Sequence, residues 1–172
     1  MTEIVTDKKR LKEEILPFYK FEREEILCAM QELEVAYKER PGCQLLTARQ
    51  IDLDMDLALM KLPGKTNCMF VTDVRIRKDG PVKTSSEGSY SHKGRYRVKR
   101  NTRVIASYTR LYPNEDFTEY ESRNIVEEKV DNVNVARIFQ HLVDFNHGRL
   151  LSETGKLYAL VDKAKKGQFE DW

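Results

Sequence analysis

One short segment gathers the side chains most able to do chemistry: Gln140-His141-Leu142-Val143-Asp144-Phe145 places an imidazole between an amide and a carboxylate. Imidazole is the group that most often ligates a metal or moves a proton near neutral pH. Upstream, Glu87-Gly88-Ser89-Tyr90-Ser91 sets a carboxylate two residues from a hydroxyl, and Gln50 closes a third segment, Cys43-Gln44-Leu45-Leu46-Thr47-Ala48-Arg49-Gln50-Ile51. The other histidines are His92 and His147. On a helix His147 lies about 240° around from His141 and points elsewhere. A site from His141, His92 and Asp144 can be drawn. The plainer reading makes His141 a buried histidine bonded to a neighbour, Ser89 a loop serine capping an amide, Gln50 a backbone partner and Asp144 a structural acceptor or an exposed helix acid. The three cysteines, Cys28, Cys43 and Cys68, show no Cys-x-x-Cys spacing. That argues against a disulfide framework and a zinc knuckle, fits a reducing compartment, and leaves each as a small buried hydrophobe.

The elements that must hold these residues follow from periodicity. Ile26, Met30, Leu33 and Tyr37 recur at helical spacing within residues 18–40, and Pro41-Gly42 stops that helix. Residues 134–146 carry a second helical stripe, Val135, Ile138, Phe139 and Leu142, so His141 and Asp144 are expected on a helix. Between them the chain reads as strands: 68–77, closed by Asp79-Gly80-Pro81, then 96–99 and 102–108, with weaker candidates at 117–120 and 124–130. A last helix is expected over 153–165. Helices set against a largely antiparallel sheet make an α+β plan. Residues 1–16 read as an N-terminal arm and 17–172 as a single domain with an insert near 112–131.

The chain has 172 residues, 40% hydrophobic and 34% charged, with a net charge of +2. That suits one domain with a sizeable core. No apolar run is long enough for a membrane span. Residues 1–14 show no apolar signal region, so a cytoplasmic location is expected. Residues 75–110 hold eleven Lys or Arg against Asp79 and Glu87. There Arg95, Arg97 and Lys99 alternate and are expected on one sheet face, able to track phosphates. The acidic stretch 114–131 follows.

The three polar segments, in this order, resemble the three motifs of the peptide deformylase family: Gly-x-Gly-Leu-Ala-Ala-Pro-Gln, Glu-Gly-Cys-Leu-Ser and the helical Gln-His-Glu-x-Asp-His. Val98-x-Arg100 and His147-Gly148-Arg149-Leu150-Leu151 extend the likeness, which covers residues 17–165. It implies antiparallel sheets packed around a central helix carrying the third motif. It also implies hydrolysis of the N-formyl group of nascent peptides, by a metal held on the motif-two cysteine and two histidines. The motif-three glutamate is then the acid/base and the motif-one glutamine an oxyanion partner. Carried over residue by residue, the cysteine is Ser89, the first histidine His141, the glutamate Leu142, the second histidine Phe145, and the glutamine Gln50.

With two ligands and the acid/base replaced, the expectation is no catalytic residue, no metal and no cofactor, and a vestigial pocket of Gln50, Ser89, His141, Leu142 and Phe145. The chain is then expected not to be an enzyme. It would be a structural or protein-interaction component, with a phage virion as one such assembly and Tyr112, Phe117 and Tyr120 as interface anchors. Nucleic-acid or ribosome binding through Arg95, Arg97 and Lys99 is the alternative, and residual metallohydrolase activity a third.

Overall fold

The computed structural model describes residues 1–64 and 67–160. Helix α1 (Lys8–Leu11) precedes α2 (Arg23–Lys38). Strands β1 (Leu45–Thr47), β2 (Ala58–Lys61), β3 (Cys68–Gly88), β4 (Gly94–Pro113) and β5 (Tyr120–Val130) follow, then α3 (Val133–Asn146), α4 (Leu151–Thr154) and β6 (Lys156–Leu160). Short 3-10 turns occupy Phe18–Lys20 and Ala48–Ile51. The sheet is antiparallel in the order β1-β2-β3-β4-β5, with β6 pairing the start of β4.

Strand alternation explains why the sheet holds a helix on each face. Leu45, Ala58, Met60, Met69 and Val71 share one apolar cluster with Val135, Ile138, Phe139 and Leu142 of α3. Their neighbours Leu46, Leu57, Leu59 and Phe70 fall in the other, with Ile26, Met30 and Leu33 of α2. β1, β2 and the first residues of β3 bury both faces, so these stretches read as short continuous apolar runs. The helices begin where the sequence supplies caps. Glu25 accepts from the Glu22 amide at 3.0 Å, and the Asn132 side chain accepts from the amides of Asn134 and Val135 at 3.0 and 3.1 Å.

Several boundaries differ from the sequence expectation. Asp79-Gly80-Pro81 does not end β3; the strand runs on to Gly88 through a register shift between Asp79 and Val82. Gly80 adopts φ +72°, and a Cβ there would meet Thr102 Oγ1 at 2.8 Å, so the turn chemistry becomes a bulge. The two strands expected at 96–99 and 102–108 are one, β4. The candidates at 117–120 and 124–130 become β5, with Phe117 in the preceding turn at φ +55°. The helix expected at 153–165 is instead the single turn α4 followed by strand β6; residues 161–165 lie outside the described residues.

The N-terminal arm is docked. The Val5 amide donates to the Gln50 carbonyl at 2.8 Å, and Leu11, 1% exposed, packs with Phe145 and Leu150. Residues 112–131, expected as an insert, form the β4–β5 hairpin. Among the described residues no helix is long and apolar enough to cross a membrane.

Candidate functional site

Helix α3 presents Arg137, His141 and Asp144 at spacings of four and three, hence on one face. Gln140 fixes the helix to β4: its Oε1 accepts from the Asn101 amide at 2.9 Å and its Nε2 donates to the Asn101 carbonyl at 2.8 Å. Against this face stand Glu87, at the end of β3, and Arg100, in the middle of β4.

These charges form a closed set. Arg100 donates through Nε and Nη2 to the two oxygens of Glu87, each at 2.9 Å, and through Nη1 to Asp144. Glu87 is fully buried and Arg100 is 6% exposed. Arg149 closes the other side of Asp144 at 3.0–3.1 Å. Burial opposes the charged form of Asp144, but Arg100 and Arg149 outweigh it and hold the carboxyl below its ordinary range. The His141 ring stands 3.8 Å from Glu87. Burial pushes His141 down to about 4 and Arg100 adds to the effect, while Glu87 and Asp144 oppose it, so the ring is neutral at pH 7.

Gln50 joins the first segment to the second. It ends the capping box of the 3-10 turn, where the Thr47 amide donates to its Oε1 at 3.0 Å. That box aims Nε2 at Ser89 Oγ, 3.2 Å away, and Ser91 Oγ, 3.0 Å away. The Ser89 hydroxyl also accepts from the Ser91 amide at 3.2 Å, which matches the expected loop cap. Gln50 therefore binds side chains as well as backbone.

Leu142 and Phe145 carry no polar chemistry. Leu142 is 1% exposed within the cluster between α3 and the sheet, and Phe145 packs under the N-terminal arm. All five pocket residues are buried. His147 turns its Nδ1 to the Val143 carbonyl at 2.7 Å, away from His141.

The two expected surface groups change character. Tyr112, Phe117 and Tyr120 are half-buried rather than free anchors. Phe117 meets Phe70 edge-on with ring centroids 6.4 Å apart, the Arg23 guanidinium covers Tyr120 at 4.2 Å, and Tyr112 lies beneath Arg110 and Arg123. The basic face loses a member. Arg97 and Lys99 are exposed, but Arg95 is buried and donates to Ser86 Oγ at 2.8 Å. The register shift between β4 and β6 falls at Arg95 and Tyr96, which breaks the simple alternation.

Sequence reasoning missed the ion set of Glu87, Arg100 and Asp144, and it missed Arg137. A signal existed for Arg100. It shares an in-facing register with Val98, Thr102 and Val104, and a charge in a buried row demands a partner.

The family model described as polypeptide deformylase matches residues 1–157. No curated protein matches the chain. Among solved structures, the peptide deformylase from Thermotoga maritima is 21% identical with a TM-score of 0.65, over 90% of this chain and 97% of that one. A probable peptide deformylase from synechococcus phage S-SSM7 is 16% identical with a TM-score of 0.67, over 90% and 99%. The class I type b peptide deformylase from Acinetobacter baumannii is 17% identical with a TM-score of 0.66, over 90% and 98%. These likenesses give the chain the peptide-deformylase fold, an α+β arrangement of antiparallel sheet and few helices.

The residues at the resemblance's metal positions are a hydroxyl, an imidazole and a phenyl ring, Ser89, His141 and Phe145. That donor set does not fit a divalent metal, which needs three charged or imidazole ligands. Nor do three His, Cys, Asp or Glu side chains come together for one elsewhere among the described residues, so the shifted site from His141, His92 and Asp144 does not form. The expectation that the chain is not an enzyme is nevertheless corrected: the family that matches, and the solved proteins that share the fold, are peptide deformylases, which are enzymes. With the match running from the docked arm through α3 to β6, the chain belongs to the polypeptide deformylase family.

Proposed function

We propose that this member of the deformylase family serves as a protein-interaction component, with the outer edge of β5 as its docking surface. One observation carries the reading. Among the described residues β5 pairs only with β4, so an eleven-residue strand leaves one row of backbone donors and acceptors open. Such an edge accepts an added strand from a partner. Val126, 75% exposed, stands on it and favours an extended partner segment carrying an apolar side chain. The nucleic-acid alternative draws less support. Arg95 is buried, and Arg75, Arg77 and Arg103 lie within 4 Å of Asp73, Glu127 and Asp79.

Native mass spectrometry of the protein drawn from its own source tests the reading, with a virion preparation as the first source to try. A defined-stoichiometry complex with another protein, lost in Val126→Lys, supports it. A monomer alone, or a complex untouched by Val126→Lys, overturns it. Cleavage of a formyl-Met peptide by the same material measures the family's chemistry on this chain.

A further inference from the structure

Helix α2 turns Glu24, Cys28, Glu32 and Val35 to one face, at spacings of four, four and three. None of them belongs to its buried stripe, and Val35 is 52% exposed. Two cavities of about 510 and 550 Å³ open between the helix and the chain from Ile51 to Met55, and they share Cys28 and Glu32 as a common wall. Together they form one groove along α2. From Glu24 to Val35 it follows about three turns of helix, roughly 17 Å.

The groove has an apolar floor and an acidic rim. Phe21, Ala29, Val35, Ile51, Leu53 and Met55 supply the floor, and Glu24, Glu25, Glu32, Asp52 and Asp54 the rim. Among the described residues neither cavity is lined by Lys or Arg. Arg10 pairs with Asp52 and Asp54, and Arg49 with Asp54. Among the described residues no cation pairs with Glu24, Glu25 or Glu32, so three carboxylates of α2 stand over the floor without a counter-charge. The backbone on the far side is already paired. The Leu16 amide takes the Asp54 carbonyl, the Asp56 amide donates to the Leu16 carbonyl, and the Leu53 amide donates to Ala48. A visitor to the groove therefore meets side chains rather than an open strand edge.

We propose that this groove docks an amphipathic helix of a partner protein, laid along α2 with its apolar stripe on Val35, Leu53 and Met55 and with Lys or Arg on its flanks. Charge complementarity selects that occupant: five carboxylates around an apolar floor attract a basic segment and repel an acidic one. With the backbone closed to strand addition, a helix is the form that offers apolar side chains in one continuous stripe, and three turns of it match the length of the groove. The groove shares no residue with the β5 edge, and its test does not depend on that edge.

The probe is a fluorescein-labelled peptide of Leu and Lys in helical register, about 14 residues or two heptads long, titrated with the full chain and read by anisotropy. Saturable one-to-one binding is expected, weakening as sodium chloride is added. Glu24→Lys combined with Glu32→Lys weakens it about tenfold or more, because like charges then face each other. Glu115→Lys combined with Glu119→Lys, in the turn between β4 and β5, makes the same change in net charge and leaves the affinity within about twofold. All four positions are exposed, so the fold tolerates both variants. Val35→Lys puts a charge on the floor and also weakens binding about tenfold. Equal weakening by the two double variants, an unsaturable titration, or equal binding of the same residues shuffled out of helical register overturns the proposal. Self-association of the unmodified chain that Glu24→Lys with Glu32→Lys abolishes would assign the groove to a second copy and overturn it too.

Discussion

Replacing Arg100 with Met isolates the energetics of the buried ion set. The substitution keeps the length and much of the volume of the side chain and removes the guanidinium alone. Fully buried Glu87 then loses two hydrogen bonds of 2.9 Å and its compensating charge, while Asp144 keeps Arg149. His141 is no substitute, because burial holds its ring neutral down to about 4. Removing one partner of a buried pair costs about 3–5 kcal/mol, against a typical total stability of 5–15 kcal/mol. Urea unfolding followed by circular dichroism reads the loss as a lower midpoint at unchanged slope. Glu87→Gln added to Arg100→Met restores much of it, since the stranded charge goes with the carboxylate. The Arg100 variant should also raise the titration midpoint of His141, because one of the charges holding the ring neutral is gone. A loss under about 1 kcal/mol, or a double variant weaker than Arg100→Met alone, would refute the argument that charge pairing holds α3 against β3 and β4.

Two further outcomes follow from the same geometry. His141 is held near 4 when folded and returns to about 6.5 when unfolded, so the unfolded chain binds its proton first as pH falls. The His141 contribution to stability should therefore be flat above pH 7 and drop by roughly 3 kcal/mol between pH 6.5 and 4. Asp144, held below its ordinary range, extends the loss at still lower pH. A His141 ring resonance titrating at pH 6 or above would sink that account. Leu142→Glu places a carboxylate at a position 1% exposed, and should cost at least about 3 kcal/mol and lower Tm by at least about 6 °C. An unchanged Tm would mean that the floor beneath His141 has room for water.

The helices and the α+β plan were legible because α2 buries one stripe and α3, though buried nearly all round, keeps Val135, Ile138, Phe139 and Leu142 at helical period against the sheet. The strands were less so. Gly80-Pro81 has the chemistry of a turn, and only pairing with β4 turns it into a bulge. Gln50, Ser89 and His141 could be named from motif order alone. The contacts among them depend on the turn after β1 and the loop after β3 arriving together, which no local pattern specifies. Arg137 escaped notice because, written in sequence, it is one charged residue near the start of an amphipathic helix.

The docked arm has a consequence for how the chain is made. Leu11 needs Phe145 and Leu150, and Lys12 reaches Glu153 across 141 residues of sequence. The arm thus has two anchors, one close in sequence, where Val5, Arg10 and Leu16 bind Gln50, Asp52 and Asp54, and one far away, where Leu11 and Lys12 wait for α3 and α4. Contacts of such separation are the last to form and slow the approach to the native state. Leu11 and Lys12 are the part of the arm that settles last, once Phe145, Leu150 and Glu153 stand in place.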